Sequence, residues 1–167
     1  MGMVFVTAEQ YQEWANGRFD QLKGEILRCC PQAQVEHIGA SAVPGLVSKG
    51  DLDMLVALAD EAALAAAIEP LCQLGFAIKA DTLRLPNLCM LEFQGGEDIA
   101  LQLVAGDPVG FLRFRDALRA SPALCQQYSA LKWRCQGMAA DEYRSHKRRF
   151  VEAVLAGEVS TELGESV

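Results

Sequence analysis

Between Thr7 and Arg28 the apolar residues Tyr11, Trp14, Ala15, Phe19, Leu22 and Ile26 recur every three or four positions, the spacing of one helix face. Thr7 suits the N-cap of this helix, and Pro31 ends it. The period then shortens. "AQVEHIGA" predicts a strand, a loop containing Gly39, Pro44, Gly45 and Gly50 follows, and residues 51–58 predict a second strand. An Ala- and Leu-rich helix is expected from Glu61 to Leu74, closed by Gly75, although Pro70 argues against one unbroken helix there. "FAIKA", "LCMLEFQ" and "IALQLVA" read as strands, the last two joined as a hairpin at Gly95-Gly96. Beyond Gly106-Asp107-Pro108 the helical period returns over 109–120, 122–136 and 140–156, with Ser121-Pro122 as a cap and first-turn signal.

This order predicts an α+β fold: a mixed sheet of about five strands with packed helices and a C-terminal helical subdomain. Residues 1–107 are assigned to an α/β core, 108–157 to the helical subdomain and 158–167 to a polar, frayed tail.

Composition narrows the partners. The 167-residue chain is 51% hydrophobic and 22% charged, which suits a globular domain with a real core. A formal net charge of −7 argues against long duplex nucleic acid as the main ligand, because neutralising phosphates needs an excess of Lys and Arg. A small phosphorylated ligand needs only a local basic patch. The opening "MGMVFVTAEQ" lacks a basic leader, and Asp60, Glu61 and Glu69 interrupt the best apolar stretch, so neither a signal peptide nor a membrane span is expected. Six cysteines at 29, 30, 72, 89, 125 and 135 have no CxxC spacing and are expected as free thiols in a reducing cytoplasm.

Candidate chemistry concentrates in "HIGASAVPGLVSKGDLDMLVAL". Asp51 and Asp53 are spaced i, i+2, which on a strand places both carboxylates on one face. Two like charges entering a buried strand repel and resist burial unless a cation neutralises them. Mg2+ suits the position, since it takes hard oxygen ligands, typically one or two carboxylates plus phosphates and water. Capping or solvation of a strand end is the plainer reading of a bare Asp-x-Asp.

The same stretch, "EHIGASAVPGLVSKGDLDMLV", resembles the signature of the GrpB family, within the nucleotidyltransferase superfamily typified by DNA polymerase β. "FLRFRDALRASPALCQQYSALKWRC" and "DEYRSHKRRFVEAVL" are similar to further stretches of that family, so the resemblance runs from about residue 10 to 156. It implies a nucleotidyltransferase-like core, Mg2+, a nucleoside triphosphate and transfer of a nucleotidyl group to an acceptor still to be identified. Asp51 and Asp53 would then ligate metal, and Gly39 and Ser41 would contact phosphate. Ala40 replaces the serine that follows the glycine in the superfamily signature, and Ser41 is its candidate substitute. The superfamily adds a third carboxylate from a neighbouring strand. Glu92 is the candidate for it, while Gln102 in the corresponding strand can neither hold metal nor accept a proton well. A catalytically inactive nucleotide-binding or regulatory module of the same fold is the alternative.

The remaining candidates are basic. Lys49 adjoins the aspartates and could bind phosphate as a point charge. Lys132 and Lys147 each follow a tyrosine, Tyr128 and Tyr143, by four residues and so share a helix face with it. Across the cleft they would supply the positive charge that the whole chain lacks. His37 is expected to point into or beside the cleft. Arg115, Asp116 and Arg119 are read as an ion-pair cluster tying helix to core, and Phe111, Phe114, Trp133 and Phe150 as core.

Overall fold

The computed structural model describes residues 2–159. Helix α1 (Ala8–Cys29) starts at Thr7, whose N–H donates to the Gln10 side chain at 2.8 Å, and buries Tyr11, Ala15, Leu22 and Ile26 along one face. Strand β1 (Gln34–Ile38) leads through a 3-10 turn at Ala40–Ala42 and the glycine loop into β2 (Leu52–Leu58). Helix α2 (Glu61–Gln73) is capped by Asp60, which accepts from the Ala63 N–H at 2.8 Å. It passes through Pro70 unbroken, contrary to expectation. The ring costs one donor to the preceding turn, and the buried Leu64, Ala67 and Leu71 hold the helix to the sheet on both sides of it.

Strands β3 (Phe76–Ile78), β4 (Leu88–Phe93) and β5 (Ile99–Ala105) complete a five-stranded sheet in the order β1-β2-β5-β4-β3. β2 and β5 run parallel and every other pair is antiparallel, with β4 and β5 forming the predicted hairpin. The mixed α+β class is therefore as expected.

Cross-strand partners share a face. Leu52, Met54 and Val56 with Leu101, Leu103 and Leu91 form one face, packed against α1 and α2 in the main core. The other face carries Asp53, Leu55 and Ala57, beside Ile38, Ala100 and Val104. Helices α3 (Val109–Ala120), α4 (Pro122–Arg134) and α5 (Ala140–Leu155) gather a second cluster. It includes Phe5, Val43, Leu46 and Val47, so the N-terminal segment and the glycine loop are part of the same packing as the helices. Main-chain bonds between Met3 and residues 137 and 138 reinforce that join.

Phe114 and Phe150 pack into this cluster as expected. Phe111 and Trp133 do not: they are 48% and 44% exposed. All six cysteines are free, and Cys29 and Cys30 have their sulfurs 3.8 Å apart. Among the described residues no helix is long and apolar enough to cross a membrane. The polar tail assigned to 158–167 falls, from residue 160 onward, outside the described residues.

Candidate functional site

The turn after β1 sets the geometry of the site. Gly39 has φ +72° and ψ −170°, a conformation essentially reserved for glycine. A β-carbon there would stand 2.7 Å from Asp53 Oδ2, so glycine is required both by its backbone and by the carboxylate beside it. Gly50, at φ +93°, turns the chain from the loop into β2 and delivers Asp51 and Asp53 to the start of that strand.

Both aspartates open on a cavity of about 390 Å3. Its floor is Ile38, Gly39, Ala40, Ser48, Lys49, Asp51 and Asp53, and its opposite wall is made by α3, α4 and α5 with Phe111, Phe114, Arg115, Tyr128, Lys132, Tyr143, Arg144 and Lys147. The two tyrosine–lysine pairs seen in the sequence thus face the two aspartates. Phe111, displaced from the core, lines the cavity mouth.

The charges here are unequally paired. Lys49 Nζ lies 3.5 Å from Asp51 Oδ2, and Ser48 donates its hydroxyl to Asp51 Oδ1 at 3.3 Å. Burial works against the Lys49 charge, but Asp51, Asp98 and Asp53 outweigh it and raise its pKa. Burial, and then the neighbouring Asp51, push the Asp53 carboxyl up to about 7, with Lys49 and Lys147 pulling the other way. Lys132 is only 4% exposed, makes no ion pair among the described residues, and holds its ammonium 4.5 Å from the centre of the Tyr128 ring. Burial, reinforced by Lys147, pushes it down to about 7. Burial thus disfavours the charge of an acid and of a base that face one another across a cavity, and shifts of this kind cluster at functional sites.

Among the described residues no group of three His, Cys, Asp or Glu is placed to hold a metal ion. The two aspartates nevertheless fit Mg2+, which takes one or two carboxylates where phosphates and water complete its shell. Their mutual repulsion and the raised Asp53 pKa are what a divalent cation would relieve.

Other candidates are placed differently. Ser41 is buried and its Oγ lies 2.7 Å from His37 Nε2, and it is absent from the cavity lining; as placed, it does not present its hydroxyl to a ligand there. His37 pairs with Met54, so its ring points to the opposite face from Asp53, where it stacks on Phe19 at 4.6 Å. The expectation that it points into the cleft is corrected by this register. Burial, then Arg119 and Arg115, push its pKa down to about 4, leaving the ring neutral. Glu92 does share the Asp53 face, but Ala100 lies between them, paired to Asp53 on one side and Glu92 on the other. Two strand spacings put Glu92 about 10 Å from Asp53 along the sheet. Gln102 lies beside Leu55, one step further in.

Arg115 acts as foreseen for the ion-pair cluster, meeting Glu36 at 2.7 Å and Asp116 at 2.9 Å. Sequence reasoning missed that Arg115 also donates to the His37 carbonyl at 3.0 Å, and that Arg119 donates to the Ala42 carbonyl at 2.8 Å. Their four-residue spacing on one helix face was the available signal.

Comparison with known proteins agrees with this architecture. The chain is 45% identical over 155 residues to a UPF0157 protein of Vibrio cholerae, covering 92% of this chain and 82% of the relative. The crystal structure of the conserved protein GrpB from Enterococcus faecalis superposes with a TM-score of 0.75 at 19% identity, over 92% of this chain and 98% of that one. The MgGTP-bound Cid1 poly(U) polymerase shares the fold more distantly, with a TM-score of 0.50 at 15% identity over 72% of this chain and 41% of that one. Residues 5–156, which hold every side chain of the cavity except that of Met3, match the family described as GrpB protein, and the chain belongs to that family.

Proposed function

We propose that the cavity binds a magnesium–nucleoside triphosphate and that the protein is a Mg2+-dependent nucleotidyltransferase, moving a nucleotidyl group to an acceptor still to be identified. One observation carries this reading: Asp51 and Asp53 share a single cavity with Lys49, Lys132 and Lys147. Carboxylates facing lysines suit a ligand that is itself a cation–polyanion complex. The fold likeness to Cid1, whose crystal structure holds MgGTP, supports the choice of ligand class.

Asp51 and Asp53 would hold the Mg2+, which when bound neutralises phosphate charge and makes the phosphorus more open to attack. Gly39 brings backbone, free of any side chain, against the phosphates. Lys49 and Lys147 stabilise the outer phosphate charge. Lys132, buried without an ionic partner, gains one from the ligand. Phe111 and Phe114 give the cavity an apolar wall on the α3 side. Glu92 is the chain's candidate third acid, one strand beyond Ala100 and not among the residues lining the cavity. The six free thiols support a reducing cytoplasm as the compartment.

A second reading, a nucleotide-binding module without turnover, is favoured by one observation: Ala100 occupies the strand position beside Asp53 where a third carboxylate would be most direct. A panel of nucleoside triphosphates with Mg2+, followed for binding and for pyrophosphate release, separates the two. Binding with release supports transfer, and binding without release supports the module. No binding by any member of the panel would overturn both.

A further inference from the structure

We infer that His37 and Ser41 are positioning residues of the nucleotide site: their hydrogen bond fixes the turn that presents Gly39 to Asp53, although neither side chain reaches the cavity. The inference rests on the nucleotide-binding reading of that cavity. The bond, 2.7 Å from His37 Nε2 to Ser41 Oγ, joins the end of β1 to the 3-10 turn and spans Gly39. Both partners are buried, at 7% and 4% exposure, and the imidazole is braced face to face on Phe19. The two side chains border a separate hollow with Gln12, Asn16 and Arg119 but are themselves nearly covered, so losing the bond leaves a buried polar atom short of a partner, which is costly.

The same turn is also held by α3. Arg115 donates to the His37 carbonyl at 3.0 Å and Arg119 to the Ala42 carbonyl at 2.8 Å, one bond on each flank of Gly39. The turn itself contributes only the Ala42-to-Gly39 and Val43-to-Ala40 main-chain bonds, at 3.2 and 3.1 Å. Gly39 has no side chain to anchor it, and its backbone approaches the Asp53 carboxylate closely. Its position therefore depends on the pairing of Ile38 with Asp53 just before it and on the bonds that hold residues 37, 41 and 42. Hydrogen-bonded support of this kind is what keeps a binding constellation within a fraction of an ångström of its working geometry.

Two variants separate positioning from plain structural support. Ser41→Ala removes the hydroxyl, and His37→Phe keeps the stacking ring but removes the ring nitrogen that meets it. Each should raise amide exchange within residues 39–46 of the ligand-free protein and weaken Mg–GTP and Mg–ATP binding about ten-fold, the loss of one buried hydrogen bond. Ser41→Thr, which returns a hydroxyl, should recover most of the affinity. Melting temperature serves as the control for general damage. If both variants bind as tightly as the parent, or if affinity falls only in proportion to a general loss of protection throughout the sheet, the inference is overturned. A parent protein that ignores both nucleotides would remove the ligand reading, whereas exchange confined to 39–46 in the variants would still support the latch.

Discussion

Gly39 and Asp53 occupy space that only one of them can fill: a β-carbon on Gly39 would lie 2.7 Å from the Asp53 carboxylate oxygen and 3.1 Å from its β-carbon. The glycine and the second aspartate of the signature are thus one structural unit, fixed by the pairing of Ile38 with Asp53 across β1 and β2. Gly39→Ala meets this contact and a backbone conformation that side chains avoid. Together these should cost about 2 kcal/mol or more. Urea unfolding measures the loss, and a variant within about 0.5 kcal/mol of the parent would show that the loop yields easily.

The aspartate and lysine that face one another should leave opposite marks on stability with pH. The folded-state pKa of Asp53 is raised from 3.8 to about 7, so its burden is absent in acid, grows as pH rises from about 4, and is complete above 7. Asp53→Asn should therefore gain stability over the parent progressively between pH 4 and 7, reaching a few kcal/mol. Lys132 is lowered from 10.5 to about 7, so its burden is complete below pH 7 and fades as pH rises toward 10.5. Lys132→Met should be more stable than the parent at neutral pH, with the advantage shrinking in alkali. Denaturant unfolding of the three proteins from pH 4 to 10 tests both trends. Differences that stay flat with pH would mean neither group is held from its ordinary charge state.

How much of this was legible in the sequence follows from which residues act locally. Elements marked by period and punctuation, such as α1 from Thr7 and the Gly95-Gly96 hairpin, are local and emerge as read. The Tyr128–Lys132 and Tyr143–Lys147 faces were also legible, since helical spacing alone aligns them. Ser41 and His37 were not. Their direction depends on β1 ending at Ile38 and on the 3-10 turn beginning at Ala40, a change of backbone that no periodicity announces. The same holds for Glu92: alternation gives its face, but only the strand order reveals that Ala100 stands between it and Asp53.

Ala100 offers a direct route to the missing acid. Ala100→Asp would place a carboxylate beside Asp53, on the strand that runs parallel to β2. If absence of that group limits turnover, pyrophosphate release with Mg2+ and nucleotide should rise at least ten-fold, toward the roughly hundred-fold a general base contributes. The ligand-free protein should lose stability, because a further like charge joins the aspartate pair. A folded, nucleotide-binding Ala100→Asp protein with unchanged release would mean that this carboxylate is not what turnover lacks.

Lys147 reports on which end of the ligand meets α5. It lies in the cavity lining on an exposed helix face, across from Lys49 and Asp51. Lys147→Ala should weaken triphosphate binding by about 1 kcal/mol more than monophosphate binding, as expected for one lost charge-assisted hydrogen bond. Isothermal titration with both ligands makes the comparison, and equal losses would place Lys147 away from the outer phosphates.

The aspartate pair itself gives the most general test. Asp51 and Asp53 are tolerated at the mouth of a buried strand if a metal–nucleotide complex neutralises them, so a nucleotide should stabilise the fold only when Mg2+ is present. At about one hundred times the dissociation constant the linkage is worth about 2.7 kcal/mol, a shift of several degrees in melting temperature for a domain of this size. Asp53→Asn should abolish the shift while raising the melting temperature of the ligand-free protein. Asp51→Asn should abolish it too if both carboxylates hold metal, and only weaken it if Asp53 holds metal alone. Lys49 sharpens that contrast: its partner at 3.5 Å is Asp51, so Asp51→Asn also frees an ammonium beside the phosphates. Nucleotide without metal should consequently bind better to Asp51→Asn than to the parent. A parent protein whose melting temperature ignores every Mg–nucleotide pair would leave the two aspartates as a strand-end feature stabilised by Lys49 and Ser48.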